Sequence, residues 1–128
     1  MTNLFENINP KNILKLKQIL KANTSIYQRG VNVISNVSFD DFIGIIESGS
    51  IKIVYNDYDG RQITIEELKE GDIFGSINSY LYNEAVSCLT KEKTTITYIE
   101  YNQVTNSEII KNDYYIIFTK NLIKLLNE

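Results

Sequence analysis

The fold is decided by residues 42–75, which read FIGIIESGSIKIVYNDYDGRQITIEELKEGDIFG. Short apolar runs alternate here with glycine and Asn or Asp, a pattern typical of β-strands joined by tight turns. The run Asn56-Asp57-Tyr58-Asp59-Gly60 predicts a hairpin loop, because Asn, Asp and Gly tolerate the left-handed backbone of such loops. Four glycines lie between apolar runs, at Gly49, Gly60, Gly71 and Gly75. Chain reversal at these points requires a positive φ or a close backbone approach.

Outward from this stretch, β-rich runs extend from about residue 25 to residue 100. The predicted strands, in chain order, are 31–34, 42–46, 51–55, 62–67, 85–89 and 94–99. Apolar and polar side chains alternate within 52–55 and 64–66, which predicts strands that have one face on a core. Two stacked sheets would satisfy this pattern, so the sequence indicates an all-β sandwich or barrel.

Both ends of the chain have helical periodicity instead. Asn9-Pro10 can cap and begin a helix, which we predict over 9–22. One further helix, or two that are broken near Asn112-Asp113, is predicted over 102–127. Residues 114–118 are all apolar or aromatic and cover more than half of a helix circumference, so a second surface should cover this helix. A two-fold contact with another copy would do so. The dimerisation candidates are Tyr114, Tyr115, Phe118, Leu122 and Leu125.

The composition excludes several classes of function. The chain has no histidine, which excludes Ser-His-Asp and Cys-His catalytic systems and histidine-ligated metal sites. Its single cysteine, Cys88, can form neither an internal disulfide nor a cluster site, which fits a reducing cytoplasm. The net charge of −3 disfavours direct contact with nucleic acid. No apolar stretch is long enough to span a membrane. We expect a cytoplasmic, non-enzymatic domain over residues 1–128, without cofactor or metal.

Three segments resemble the cyclic-nucleotide-binding domains of the Crp/Fnr class of bacterial transcription regulators, over about residues 25–126. The segments are YQRG at 27–30 with 42–53, DGR at 59–61 with EGDIFG at 70–75, and KTTITYIE at 93–100. The resemblance implies a mainly β fold with flanking helices, a double-stranded β-helix or cupin-like jelly roll known as the cyclic-nucleotide-binding β-roll. It places the β-roll at 25–100 and dimerisation in the helices of 102–127.

The ligand site departs from the family's pattern. The family has Phe-Gly followed by a Glu for the ribose, and later an Arg-Ser or Arg-Thr pair for the cyclic phosphate. Here Ser76 stands at the Glu position, Glu84 and Ala85 stand at the Arg-Ser position, and no Arg or Lys occurs within 70–90. Cyclic AMP and cyclic GMP are therefore expected to bind weakly or not at all, since phosphate recognition uses a guanidinium.

Two interpretations of residues 76–87 remain open. Their aromatic side chains plug the mouth of the roll, or they line a cavity for a different small-molecule effector. The pocket candidates are Phe74, Gly75, Ser76, Asn78, Tyr80, Tyr82, Glu84 and Ala85.

The sequence favours the effector-sensing and dimerisation domain of a Crp/Fnr-like regulator that lacks its DNA-binding helix-turn-helix. One alternative is a free-standing ligand-binding or protein-interaction module of the same fold. A third hypothesis, a small cupin-type enzyme, is disfavoured because such enzymes usually bind metal through histidine.

Overall fold

The structure, a computed structural model, describes residues 4–36, 42–75, 84–104 and 113–126. The chain divides into two compact units. One is the β unit Asn23–Tyr98, and the other is a helical unit made of Met1–Ala22 and Ile99–Glu128.

Within the described residues, seven strands form two sheets. The strands are β1 Asn23–Tyr27, β2 Phe42–Ser48, β3 Ser50–Asn56, β4 Gln62–Lys69, β5 Ile73–Gly75, β6 Val86–Thr90 and β7 Thr94–Glu100. One sheet has the order β1-β7-β2-β5, and the other has the order β4-β3-β6. Apolar side chains from both sheets meet in one core cluster, for example Ile46 and Ile96 with Ile51 and Ile53. The prediction of two stacked sheets around one core is confirmed.

The strand predicted at 31–34 is wrong. A 3₁₀ helix occupies Val33–Asn36, and only Asn32 makes a bridge, to Leu89. The segment is joined to β6 by a few bonds and not by a full ladder: backbone hydrogen bonds link Thr90 to Gly30 (2.9 Å) and to Val31 (3.0 Å). The Val31 amide donates to Thr90 Oγ1 (2.9 Å), and the Cys88 amide donates to Asn32 Oδ1 (3.1 Å).

Strands β1 and β5 were not predicted from the sequence. β1 has the sequence NTSIY and no buried residue, so its apolar pattern is too weak to indicate a strand. β5 is only three residues long and sits inside what the sequence indicates as a turn.

The four predicted reversal glycines all have positive φ. The angles are 88° at Gly49, 79° at Gly60, 91° at Gly71 and 133° at Gly75. Gly49 also has no room for a side chain, because a Cβ there would lie 2.5 Å from Thr94 Oγ1 and 2.6 Å from the Lys93 carbonyl. At Gly60 and Gly71 a Cβ would meet nothing within 4 Å. Any side chain at Gly49 would push β2 and β3 away from β7.

The hairpin between β3 and β4 is also confirmed. Asp57 Oδ1 accepts the amides of Asp59 (2.9 Å) and Arg61 (3.1 Å), which fixes the loop. The prediction that 64–66 has one face on a core is wrong, because Leu68 is the only buried residue of β4. β4 is an edge strand of its sheet, and its register with β3 shifts between Ile53 and Val54. Leu68 is the β4 residue that belongs to the core cluster.

The helical unit contains α1 Pro10–Ile19, α2 Tyr101–Val104 and α3 Asp113–Leu126. Asn9 caps α1 as predicted, since its Oδ1 accepts the Lys11 amide at 2.9 Å. Asn121, which is 3% exposed, donates to the carbonyls of Leu4 (2.9 Å) and Glu6 (2.7 Å). This single amide therefore ties the segment before α1 to α3. None of the described helices combines the length and apolar character needed to cross a membrane.

Candidate functional site

The Phe74-Gly75 pair ends β5 inside the core of the β unit. Phe74 is fully buried, and its ring meets those of Phe42 (5.8 Å between centroids) and Tyr98 (6.3 Å) edge to face. Such contacts add to the free energy that burial alone supplies. Gly75 lies so close to the Phe42 carbonyl that no side chain fits there. Phe74 is thus a packed core residue.

Two ionisable side chains of the core, Tyr98 and Cys88, are kept in their protonated, neutral form. Burial raises the pKa of Tyr98 far above its usual range, and the hydrogen bond to the Tyr27 hydroxyl (2.9 Å) adds to this effect. Burial also raises the pKa of the Cys88 thiol to about 12. A thiol with so little thiolate is a poor nucleophile.

An open cleft of about 320 Å³ lies at the loop end of the β3–β4 hairpin, beside the start of β6. Its walls are formed by Tyr55, Asn56, Asp57, Tyr58, Glu84 and Ala85. Asn56 links the two sides of the cleft, because its backbone amide (2.8 Å) and its Nδ2 (3.0 Å) both donate to the Ala85 carbonyl. Asn56 Nδ2 also donates to Ser87 Oγ at 3.1 Å. These bonds hold Glu84 next to the hairpin.

The cleft brings together only part of the predicted pocket. Glu84 and Ala85 line it, whereas Phe74 and Gly75 do not. Ser76, Asn78, Tyr80 and Tyr82 lie outside the described residues.

Four residues that line the cleft were not among the predicted pocket residues: Tyr55, Asn56, Asp57 and Tyr58. Strand alternation could have found Tyr55, since it follows Ile51 and Ile53 on one strand face. The other three were recognised only as turn residues.

The described lining residues give the cleft a negative charge. No Lys or Arg is among its described lining residues, while Asp57 and Glu84 both are. Arg61 is the nearest cation in sequence; its side chain is 77% exposed and pairs with Asp59 (3.4 Å) and Asp57 (3.9 Å). Over the described ranges, no three His, Cys, Asp or Glu residues are grouped to hold a metal ion. The cleft offers carboxylates, phenols and one amide, a set that suits a cationic partner better than an anionic one.

The predicted dimerisation residues have different environments in α3. Phe118 is fully buried and packs on Phe5, with 6.0 Å between ring centroids. Leu122 and Leu125 are half-buried, and the side chains of Tyr114 and Tyr115 lie outside the described set. The exposed apolar side chains of α3 include Ile116 (49%) and Ile123 (54%), which were not predicted. These two are seven residues apart and so share one helix face.

Two antiparallel sheets on one core, with helices before and after them, define the class as a β-roll domain. The chain belongs to the cyclic nucleotide-binding domain family, whose sequence model matches residues 20–107. The predicted fold class and the predicted family resemblance are both confirmed. Domains of this family are typically regulatory and non-catalytic.

Several solved structures share this fold. A CooA mutant from Carboxydothermus hydrogenoformans aligns with TM-score 0.64 and 19% identity, over 98% of this chain and 81% of that chain. The catabolite activator protein of Thermus thermophilus aligns with TM-score 0.61 and 16% identity, over 97% of this chain and 56% of that one. The N-terminal domain of a transcriptional regulator from Streptomyces coelicolor A3(2) aligns with TM-score 0.62 and 10% identity, over 97% and 88%. No curated protein sequence matches the chain significantly.

Proposed function

We propose that this chain is the effector-sensing and dimerisation domain of a cytoplasmic Crp/Fnr-like transcription regulator that does not respond to cyclic AMP or cyclic GMP. The family match and the fold shared with bacterial regulators support the regulatory role. The proposal takes residues 1–128 as one functional domain. It assigns no catalysis, cofactor or direct nucleic-acid contact to this domain.

The negative charge of the cleft is the observation that supports the proposed lack of cyclic-nucleotide binding. Glu84 borders it, and the sequence from Glu70 to Thr90 contains no Lys or Arg. A cyclic phosphate held there would face a carboxylate without a guanidinium to neutralise it. Burying such an unpaired charge costs on the order of several kcal/mol. That is enough to remove most of the affinity of a small ligand.

Isothermal titration calorimetry with cyclic AMP and cyclic GMP tests this part of the proposal. We expect no saturable heat up to about 1 mM nucleotide. A Glu84→Gln variant serves as a matched control, and it should also fail to bind because it supplies no cation. Micromolar affinity of the wild-type chain for either nucleotide would contradict the proposal.

For dimerisation, the proposed surface lies on α3. It keeps the candidates from the sequence, which are Tyr114, Tyr115, Phe118, Leu122 and Leu125. Phe118 is buried, so it would support this surface through its contact with Phe5 and would not touch the second copy directly. We add Ile116 and Ile123, because about half of each side chain is exposed. At about 100° per residue, these two lie on the side of α3 opposite Phe118. Burying such side chains against a second copy would supply the apolar contact that a stable dimer needs.

Multi-angle light scattering tests the dimer. The wild-type chain should have twice the monomer mass of 14.8 kDa. The double variant Ile116→Lys/Ile123→Lys should be monomeric. Leu14→Lys is the control, since Leu14 is 63% exposed on α1 and its replacement should leave the mass unchanged. A wild-type monomer at about 100 μM would rule out a dimer of useful affinity.

A further inference from the structure

The core-facing side of the three-stranded sheet continues beyond the core. In β3, Ile51 and Ile53 are buried in the core cluster, and Tyr55 follows them on the same face because alternate residues of a strand share a face. Directly paired residues also share a face. The register pairs Tyr55 with Ile63 and Ile53 with Glu66, so both β4 residues lie on this side.

This extension of the inner face is exposed. Ile63 is 55% exposed and Tyr55 is 36% exposed, while the paired Ile51 and Leu68 at the other end of the strands are buried. The inner-face strip therefore consists of Tyr55, Ile63 and Glu66, and it runs into the cleft through Tyr55. An aromatic ring, an aliphatic side chain and a carboxylate lie along one surface that ends at Glu84.

We infer that the effector of this site is an organic cation with an apolar body, such as an arylalkylamine. This inference rests on the proposed function, which supplies the existence of an effector. The ammonium group would lie at Glu84 and the tyrosine rings, where Coulomb attraction and cation–π contacts act together. The apolar body would cover Ile63 and Tyr55.

The arrangement of the other charges supports this assignment. Asp57 is committed to the loop, because its Oδ1 accepts two amides and its Oδ2 lies 3.9 Å from Arg61 Nε. Of the two carboxylate residues described as lining the cleft, Glu84 is the one that is not committed to the hairpin loop. Arg61 is turned to Asp59 and Asp57 and is not among the lining residues. A volume of about 320 Å³ is at the small end of ligand sites, which suits a molecule of this size.

The test compares three probes that share a phenylethyl body and carry a cationic, a neutral or an anionic head group: phenethylamine, phenethyl alcohol and hydrocinnamate. Binding to the full chain is followed by heteronuclear NMR. We expect phenethylamine to shift the amide signals of 55–58 and 84–85 saturably, with a dissociation constant of about 1 mM or tighter. Phenethyl alcohol should bind at least about fivefold more weakly, and hydrocinnamate should not bind.

Variants locate the site. Glu84→Gln should weaken phenethylamine binding about fivefold, and Tyr55→Leu about threefold. Glu70→Gln removes the same charge at the opposite end of β4 and should leave the affinity unchanged. Circular dichroism is used to check that each variant folds.

Equal binding of the amine and the carboxylate would overturn the inference. So would an unchanged affinity in Glu84→Gln, or no saturable shift below about 10 mM amine. None of these results touches the proposed function, which fails instead if a cyclic nucleotide binds.

Discussion

Replacing Gly44 by Ala tests whether Phe74 is a fixed part of the core. Gly44 pairs with Phe74 across β2 and β5, and a Cβ on it would lie 2.6 Å from Cε1 and 2.7 Å from Cζ of the ring. Carbon atoms in contact prefer about 3.5–4.0 Å, so the overlap is about 1 Å. The ring cannot easily turn away, because Phe42 and Tyr98 pack on it from other sides.

Overpacking of this kind costs about 1–3 kcal/mol, and the lower chain entropy of unfolded Ala returns about 0.4–1 kcal/mol. We therefore expect Gly44→Ala to lower the free energy of unfolding by about 1–2 kcal/mol. Urea denaturation followed by circular dichroism measures it.

A double-mutant cycle isolates the cause. Phe74→Leu removes the ring edge that the new methyl group meets, so Gly44→Ala should cost at least about 1 kcal/mol less in the Phe74→Leu background. If Gly44→Ala is as stable as the wild type, or if the two changes are additive, the ring is not held as described. Phe74 would then be able to move, and it would not be the fixed core residue that its ring contacts indicate.

Three further predictions concern stability. Gly49→Ala should cost more than Gly30→Ala in urea denaturation, because both have a left-handed φ but only at Gly49 would the new Cβ meet Thr94; the shared backbone strain is about 1–2 kcal/mol, and equal losses would contradict the contact. The raised pKa of Tyr98 adds stability that is complete below about pH 10 and is lost as pH rises further, so Tyr98→Phe should flatten the alkaline fall in melting temperature; an unchanged slope would exclude this. Asn121→Ala should cost about 1–3 kcal/mol in thermal unfolding, because two backbone carbonyls lose their donor; a cost near zero would mean that water replaces it.

The β-hairpin and the turns could be predicted because they depend on local chemistry. Gly49 and the Asn56–Gly60 loop fix the backbone within a few residues, and the structure confirms both. The error at 31–34 has the opposite origin. That segment has an apolar pattern, but its pairing with β6 is limited to the Asn32–Leu89 bridge and to bonds with Thr90. Thr90 is 59 residues away from Val31, so no local pattern shows where the pairing stops.

The site could be predicted less well because it depends on register. Glu84 was identified by counting along the chain, and the cleft contains it. That Tyr55 lies beside Glu84 follows from the pairing of β3 with β6 and from the Asn56 bonds to Ala85, neither of which leaves a local pattern. Likewise, apolar spacing alone could not distinguish Phe118, which packs on Phe5, from Ile116, which is exposed.

The most direct test of the account is an NMR titration of the folded chain with cyclic AMP, observed at the amides of Gly75, Glu84 and Ala85. With a carboxylate at the cleft and no basic residue within 70–90, these signals should stay in place at about 1 mM nucleotide. A saturable shift confined to these three amides would show that a cyclic phosphate is recognised here, and would contradict the account.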